Sequence, residues 1–383
     1  MVAGPLTGSL LADLGAEVIK IEAPQGGDRM RFLGPRVGGI GALWANVNRG
    51  KRSLVLDLQE PEGVALLREL VARSDVFIQN FRPGVAERLG IDEPSLRAVR
   101  PDIVYVSVSG FGETGPYTDQ KSYDYVIQAL SGMAALQADP TTGAPALLRN
   151  IVIDKVTAYA AAQAVMAGII ARLQGHGGQH IQLSMLDVAV SFLWPDGMMQ
   201  HTLLDPDRVT PGPHMADNYM VRPVADGYIA LTATSDRQFP GLCAALGTDD
   251  WLADARFATM PARDANTDLL NAVISAELAT RTGRDLVARL QSFDVPCALV
   301  TAVGDVHLDP QVIHNATLVE HDRQWLGAVR EPRPPARYSA TPVALGRHAP
   351  KLDEHTDEVL AELGYEPATI AALRTCGIIG ARR

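Results

Sequence analysis

The 383-residue chain has only three cysteines, Cys243, Cys297 and Cys376, spread far apart. An odd count with no CxxC pair leaves no disulfide framework or cysteine metal site, and a reducing, cytoplasmic setting is expected. Long apolar runs are also lacking. No stretch reaches the ~18 uninterrupted apolar residues of a membrane span. The longest, residues 158–170, is Ala-rich and broken by Gln163, so it reads as a buried helix and no membrane partner is expected. The first residues carry neither the basic region nor the apolar core of a signal peptide. There is no excess of positive charge: 34 Lys+Arg stand against 44 Asp+Glu, a net −10. Nucleic acid is therefore an unsuitable partner, since binding it needs basic surface to neutralise phosphates. GxSxG and GxxxxGK(S/T) do not occur, so serine-hydrolase and P-loop chemistry have no motif. No metal site is expected either. His176 and His180 are separated by glycines that break any shared helix face. His307, His314 and His321 recur in a Pro- and Asp-punctuated stretch and read as solvated loop residues.

What is present is an ordinary globular composition, 47% hydrophobic and 20% charged, of a length that suits two domains. The acidity is uneven. Residues 1–105 hold 13 basic and 13 acidic side chains, and residues 106–383 hold 21 and 31. An anionic ligand is easier to place on the neutral N-terminal third. There, helical and extended patterns alternate. Residues 5–14 read as a helix, 18–21 and 52–58 as strands, 60–73 as a helix, and 76–79 and 103–108 as strands. Strands separated by helices predict parallel pairing in a doubly wound sheet. A unit opening with a helix at residue 5 normally follows a strand, so the reading frame is expected to extend upstream. Residues 123–192 read as mostly helical. Residues 195–223, rich in Pro, Gly, Met, His and Asp, read as a connecting loop. A second compact unit follows, closed by the proline cluster at 332–335.

Candidate chemistry lies mainly in the first half. Gly110, Gly112 and Gly115 form a GxGxxG match after a strand. However, Pro116 follows the third glycine and Leu130 occupies the place of the ribose-binding acid, so a dinucleotide site is not predicted. The loop remains able to bring backbone close to a ligand at a strand's C-terminal end. Asp154, in NIVIDKVTAYAAAQA, reads as the N-cap of the following helix. A carboxylate at a helix N-terminus stays ionised more readily and can serve as a covalent nucleophile, so one residue can hold both roles. Basic residues cluster at Arg29 and Arg31, at Arg49, Lys51 and Arg52, and at Arg82 and Arg88. They are either scattered surface charge or a phosphate site near strand ends.

Several of these segments, in this order, resemble the class III CoA-transferase family, which includes formyl-CoA transferase, carnitine CoA-transferase and alpha-methylacyl-CoA racemase. They are AGP with LLADLGAEVIKIEAPQGGDRMR, NRGKRSLVLDL, NFRPGVAERLG, VSVSGFGETGPY, SYDYVIQALSG and LDEHTDEVLAELG, and in the second unit DGYIALTATSDRQFPGLCAALG, RFAT and FDVPCALV. The resemblance spans nearly the whole chain. It implies an α/β architecture: a Rossmann-like large domain with a parallel sheet (1–195 with 335–383), a connecting loop (196–223) and a smaller α+β domain (224–334). It also implies an interlocked homodimer. The implied reaction moves CoA from an acyl-CoA to an acceptor carboxylic acid, with no permanently bound cofactor and with coenzyme A or acyl-CoA as substrate. The implied catalyst is Asp154, attacking the thioester to give an anhydride and then an aspartyl-CoA thioester. The implied CoA contacts are Leu56, Asn80, Phe81, Arg88 and Lys121. Ala23 stands where the formyl-CoA transferase pattern has Arg, so that phosphate contact is either absent or supplied from elsewhere, with Lys51 and Arg52 as the candidates. Val2, Tyr123, Gly110 and Gly112 are expected around the substrate.

Two departures bear on the reaction. Tyr123 stands where the racemase pattern has its basic His, and a phenol of pKa ~10 is a poor α-carbon base at neutral pH. Val2 replaces a Gln of the formyl-CoA transferase pattern, and residues 197–223 lack its glycine run, which argues against formate–oxalate exchange. Met198, Met199, Leu203 and Leu204 point to a larger acyl group. The alternatives are an acyl-CoA racemase acting at the α-carbon and a non-catalytic acyl-CoA binding protein.

Overall fold

The structure, a computed structural model, describes residues 2–382 except 213, 234, 324 and 344, and only the backbone at 217 and 218. It divides into two compact units: Met1–Pro195 with His314–Arg383, and Asp196–Ile313. The boundary differs from the expected one at residue 334. Residues 314–334 join the first unit and carry an antiparallel hairpin, Leu318–Arg323 with Gly327–Pro332.

The first unit is α/β with parallel strands. Helix α1 (Ala3–Asp13) leads to β1 (Val18–Glu22), α2 (Ala42–Asn48), β2 (Lys51–Val55), α3 (Pro61–Ala72), β3 (Val76–Gln79) and β4 (Val104–Ser109). Helix α4 (Asp124–Leu130), α5 (Val152–Ala171), β5 (His180–Ser184) and α6 (Met185–Gly197) complete it, with two C-terminal helices, α7 (Thr356–Leu363) and α8 (Pro367–Thr375). β1 to β5 pair in parallel, in two hydrogen-bonded groups, while the hairpin at 318–332 and the short pair at 36–41 are antiparallel. β1 pairs β2 from Val18 opposite Lys51, and β4 lies between β3 and β5. β5 falls inside the stretch expected to be helical. HIQLS has the period-2 alternation of a strand, with Ile181 and Leu183 more buried than His180 and Gln182, but five residues are too few for periodicity alone to reveal.

β4 is buried on both faces, which explains its continuous apolar run. Val104, Val106 and Val108 pack with Ala161 and Val165 of α5 and with Ala3. Tyr105 packs on the opposite side with Leu54, Leu67, Ile91 and Leu360. Each fully buried side chain of this size contributes about 1.5–3 kcal/mol. α5 approaches closely because Gly168 faces the sheet, where a Cβ would sit 2.9 Å from a Val104 methyl. Residues 152–176 are long and apolar enough, by length and composition alone, to cross a membrane. One face, with Ile153, Ala158, Ala161 and Val165, is buried within this unit, and Tyr159, Met166 and Ile170 are exposed.

The second unit holds a three-stranded antiparallel sheet, with Gly227–Leu231 between Arg222–Val224 and Cys297–Leu299. Its own core gathers Ile229, Phe239, Leu242, Leu246, Ile274 and Leu290.

Candidate active site

Asp154 is not the N-cap of its helix. Ile151 holds that place, and Asp154 is the third residue of α5, only 9% exposed. Its side chain instead serves a different helix. Oδ1 accepts the backbone N–H of Ala3, the first residue of α1, at 3.1 Å. Its own backbone N–H, which has no partner within α5, donates to Oδ2 of Asp124 at 2.9 Å. Asp124 is itself the first residue of α4 and is 6% exposed. The N-termini of three helices therefore meet around two carboxylates. Each terminus carries partial positive charge and unpaired N–H groups, so negative charge is favoured there. Burial nonetheless pushes the Asp154 carboxyl above its usual range, and the charge of Asp124 adds to this. The N–H groups of Ala3 and Val2 oppose it.

The residues expected around the substrate take different places. Val2 reaches Asp154 through its backbone, while its side chain packs in the core with Met30, Ile40 and Trp44. Gly110 lies against the segment that carries Tyr123. A Cβ there would sit 2.0 Å from Oγ of Ser122, so only glycine allows this approach. Gly112 has φ +100° and donates its N–H to Oγ of Ser109. Tyr123 is exposed and stacks on Tyr125 at 5.9 Å.

The expected CoA contacts divide in the same way. Asn80 follows β3 and lies over Gly4 of α1, where a Cβ would be 3.0 Å from its side-chain amide carbon. Phe81 is exposed at the rim of a cleft lined by Gln79, Arg82, Ser107, Ser109 and Glu113, at the C-terminal ends of β3 and β4. Arg88 and Lys121 are exposed. The side chains of three other expected contacts are buried or paired within the fold. Leu56 is fully buried in the core, and its N–H is taken by the Glu22 carbonyl. Lys51 is 1% exposed and donates to the carbonyls of Pro5 (2.5 Å) and Val47 (3.0 Å) and to Oδ1 of Asn48 (2.7 Å). Its three donors are used within the fold. Arg52 is claimed by Glu17, Glu358 and Glu362. Arg31 is likewise structural, bonded twice to buried Glu22 and stacked 3.7 Å over Trp44. His321 is not a loop residue. It lies in the hairpin and bonds Glu331 at 2.7 Å.

Asp124 was missed by sequence reasoning. Its signal was available, since it follows Tyr123 directly in SYDYV, but nothing in the sequence shows that it meets Asp154.

This arrangement can hold an ionised carboxylate out of bulk water beside helix N-termini. The profile of CoA-transferase family III matches residues 1–356. The chain belongs to CoA-transferase family III. It is an enzyme of that family, acting on acyl-CoA thioesters. It is 37% identical over 373 residues to the succinate–glutarate CoA-transferase of Agrobacterium fabrum, covering 95% of this chain and 92% of that one. It is 30% identical to the succinyl-CoA:glutarate CoA-transferase of Homo sapiens, covering 99% and 87%. Among solved structures, a CAIB/BAIF family protein from Brucella suis superposes with a TM-score of 0.81 at 35% identity, covering 94% of this CoA-transferase and 96% of that chain.

Proposed function

We propose that this family III CoA-transferase moves CoA between carboxylic acids through a covalent thioester on Asp154. The observation that carries the reading is the buried Asp154 carboxylate, held by the Ala3 N–H where helix N-termini converge. An Asp154 oxygen attacks the thioester carbonyl. The C–S bond breaks, and CoA leaves as thiolate with an anhydride left on Asp154. The thiolate attacks the aspartyl carbonyl of that anhydride and releases the donor acid as carboxylate. An acceptor carboxylate then attacks the aspartyl thioester, expelling the thiolate and forming a second anhydride. The thiolate attacks its acyl carbonyl, which gives the new acyl-CoA and restores Asp154. No proton is consumed, and the exchange is close to isoenergetic. The enzyme has to exclude water and stabilise oxyanions, and the N–H groups at the helix ends suit that task.

The names of the relatives support short dicarboxylic acids such as succinate and glutarate as the acids exchanged. Asn80, Phe81, Arg88 and Lys121 are the residues we assign to CoA, because they are exposed or lie at strand ends near α1. A homodimer is supported by a stripe of exposed apolar residues along and just beyond α5, Tyr159, Met166, Ile170 and Leu173, whose burial by a second copy would remove it from water. The three cysteines are free, which suits a cytoplasmic enzyme.

The test is incubation with succinyl-CoA, quenching with hydroxylamine and mass spectrometry of the Asp154 peptide. The hydroxamate is expected on Asp154, and Asp154→Ala should lose exchange while remaining folded. Substantial turnover by Asp154→Ala refutes the reading. Deuterium entering the α-carbon in heavy water without exchange would favour the racemase.

A further inference from the structure

Gln128 lies one turn after Asp124 on α4 and is 1% exposed. Its amide makes contacts on both sides. Nε2 donates one hydrogen to Oδ1 of Asp124 at 2.6 Å and shares the other between the carbonyls of Asn150 (3.1 Å) and Leu148 (3.3 Å). Oε1 accepts the Leu148 N–H at 3.0 Å. The amide's orientation follows from these partners. A flipped amide would place its oxygen against a carboxylate and two carbonyls, and its NH2 against an N–H donor. A buried amide with both ends engaged costs about 1–3 kcal/mol to leave unpaired, so it resists rotation.

The two sides lead to the same place. Asp124, held at Oδ1 by Gln128, presents Oδ2 to the Asp154 N–H. The 148–150 segment, gripped by the same amide, runs directly into the first turn of α5. We infer that Gln128 is a positioning residue for the transfer reaction, because its single amide fixes both the Asp124 carboxylate and the chain entering α5 and so sets where Asp154 stands against α1. This rests on the proposed role of Asp154. Gln128 itself touches no substrate in this account. Its effect is on the approach geometry of the carboxylate, where a misplacement of about 1 Å costs roughly 100-fold in rate.

The test compares Gln128→Met, which preserves length and removes both hydrogen-bonding ends, with Gln128→Glu, which keeps an acceptor for Leu148 and removes the donor to Asp124. Kinetics with succinyl-CoA and glutarate, and the single-turnover rate of thioester formation on Asp154, are measured on folded protein. We expect kcat and the single-turnover rate to fall together by roughly 10–100-fold, with KM for acyl-CoA within about twofold, and Gln128→Glu to be impaired despite its near-identical shape. Wild-type kcat per folded molecule in either variant overturns the inference. So does failure of both variants to fold, which would make Gln128 structural alone. An inactive Asp154→Ala beside a fully active Gln128→Met refutes only the role of Gln128. Turnover by Asp154→Ala removes the reading beneath it.

Discussion

Lys51 separates a structural cation from a phosphate ligand, and Lys51→Met tests which it is. Methionine fills the space of the lysine stem, so little cavity results. What changes is the head group. Three oxygens, from Pro5 in α1, Val47 in α2 and Asn48 in α2, lose their donor. In a site closed to water each stranded acceptor costs about 1–3 kcal/mol, or roughly 3–9 together. Relief from burying an ammonium returns several kcal/mol. The net is a loss on the order of 2–4 kcal/mol, which lowers the melting temperature by roughly 5–15 °C for a unit of this size. Scanning calorimetry reads this, and steady-state kinetics on the folded fraction should show KM for acyl-CoA unchanged. A pH series adds an independent check. Burial holds the Lys51 ammonium well below its usual range, and the charge of Lys20 contributes. The unfolded chain therefore binds more protons between that lowered value and ~10.4. Wild-type stability gains as pH rises through this window, and the gain is absent from Lys51→Met. An unchanged melting temperature with a tenfold higher KM would refute the reasoning and return Lys51 to the phosphate site.

Arg31→Ala leaves the Glu22 carboxylate buried without its bidentate partner, so urea unfolding should show a loss of about 3–5 kcal/mol. Arg31→Lys should recover only part of it, because an ammonium cannot reproduce the fork or the stacking on Trp44. For Asp154, whose folded pKa is raised by burial, the folded state binds more protons above the unfolded value of ~3.9. Its ionisation lowers stability as pH rises through the window up to the folded pKa. Asp154→Asn, which can still accept the Ala3 N–H, is expected to match or exceed wild type in thermal stability at pH 7 while losing turnover, and wild-type kcat should fall as pH drops through the raised pKa. Gly110→Ala drives a Cβ into Ser122. It should reduce kcat at least tenfold, by the same positional argument, and Gly110→Ala with Ser122→Gly should restore most of it, measured by CoA exchange.

The alternation of strand and helix in the first unit was readable because it is a local property: LVARSDVFIQN and PDIVYVSVSG carry their own periodicity and their own turns. β5 was not, because HIQLS acquires its identity from lying beside β4. Asp154 was readable as an acid at the start of an apolar helix, and family motifs along the chain gave it a role. Its cap assignment failed because its partner is the N-terminus of α1, 151 residues away.

The sequence by itself determined the alternation of strand and helix as far as β4, which family the motifs resemble and which acid could act as a nucleophile. Only the tertiary structure decided which cations are free. Lys51, Arg52 and Arg31 look like phosphate ligands in a linear reading, as Arg88 and Lys121 do. The first three are consumed by oxygens that the fold brings from up to 319 residues away. Charge is written in the chain. Whether it faces a ligand depends on burial and on partners distant in sequence, and composition and periodicity carry neither.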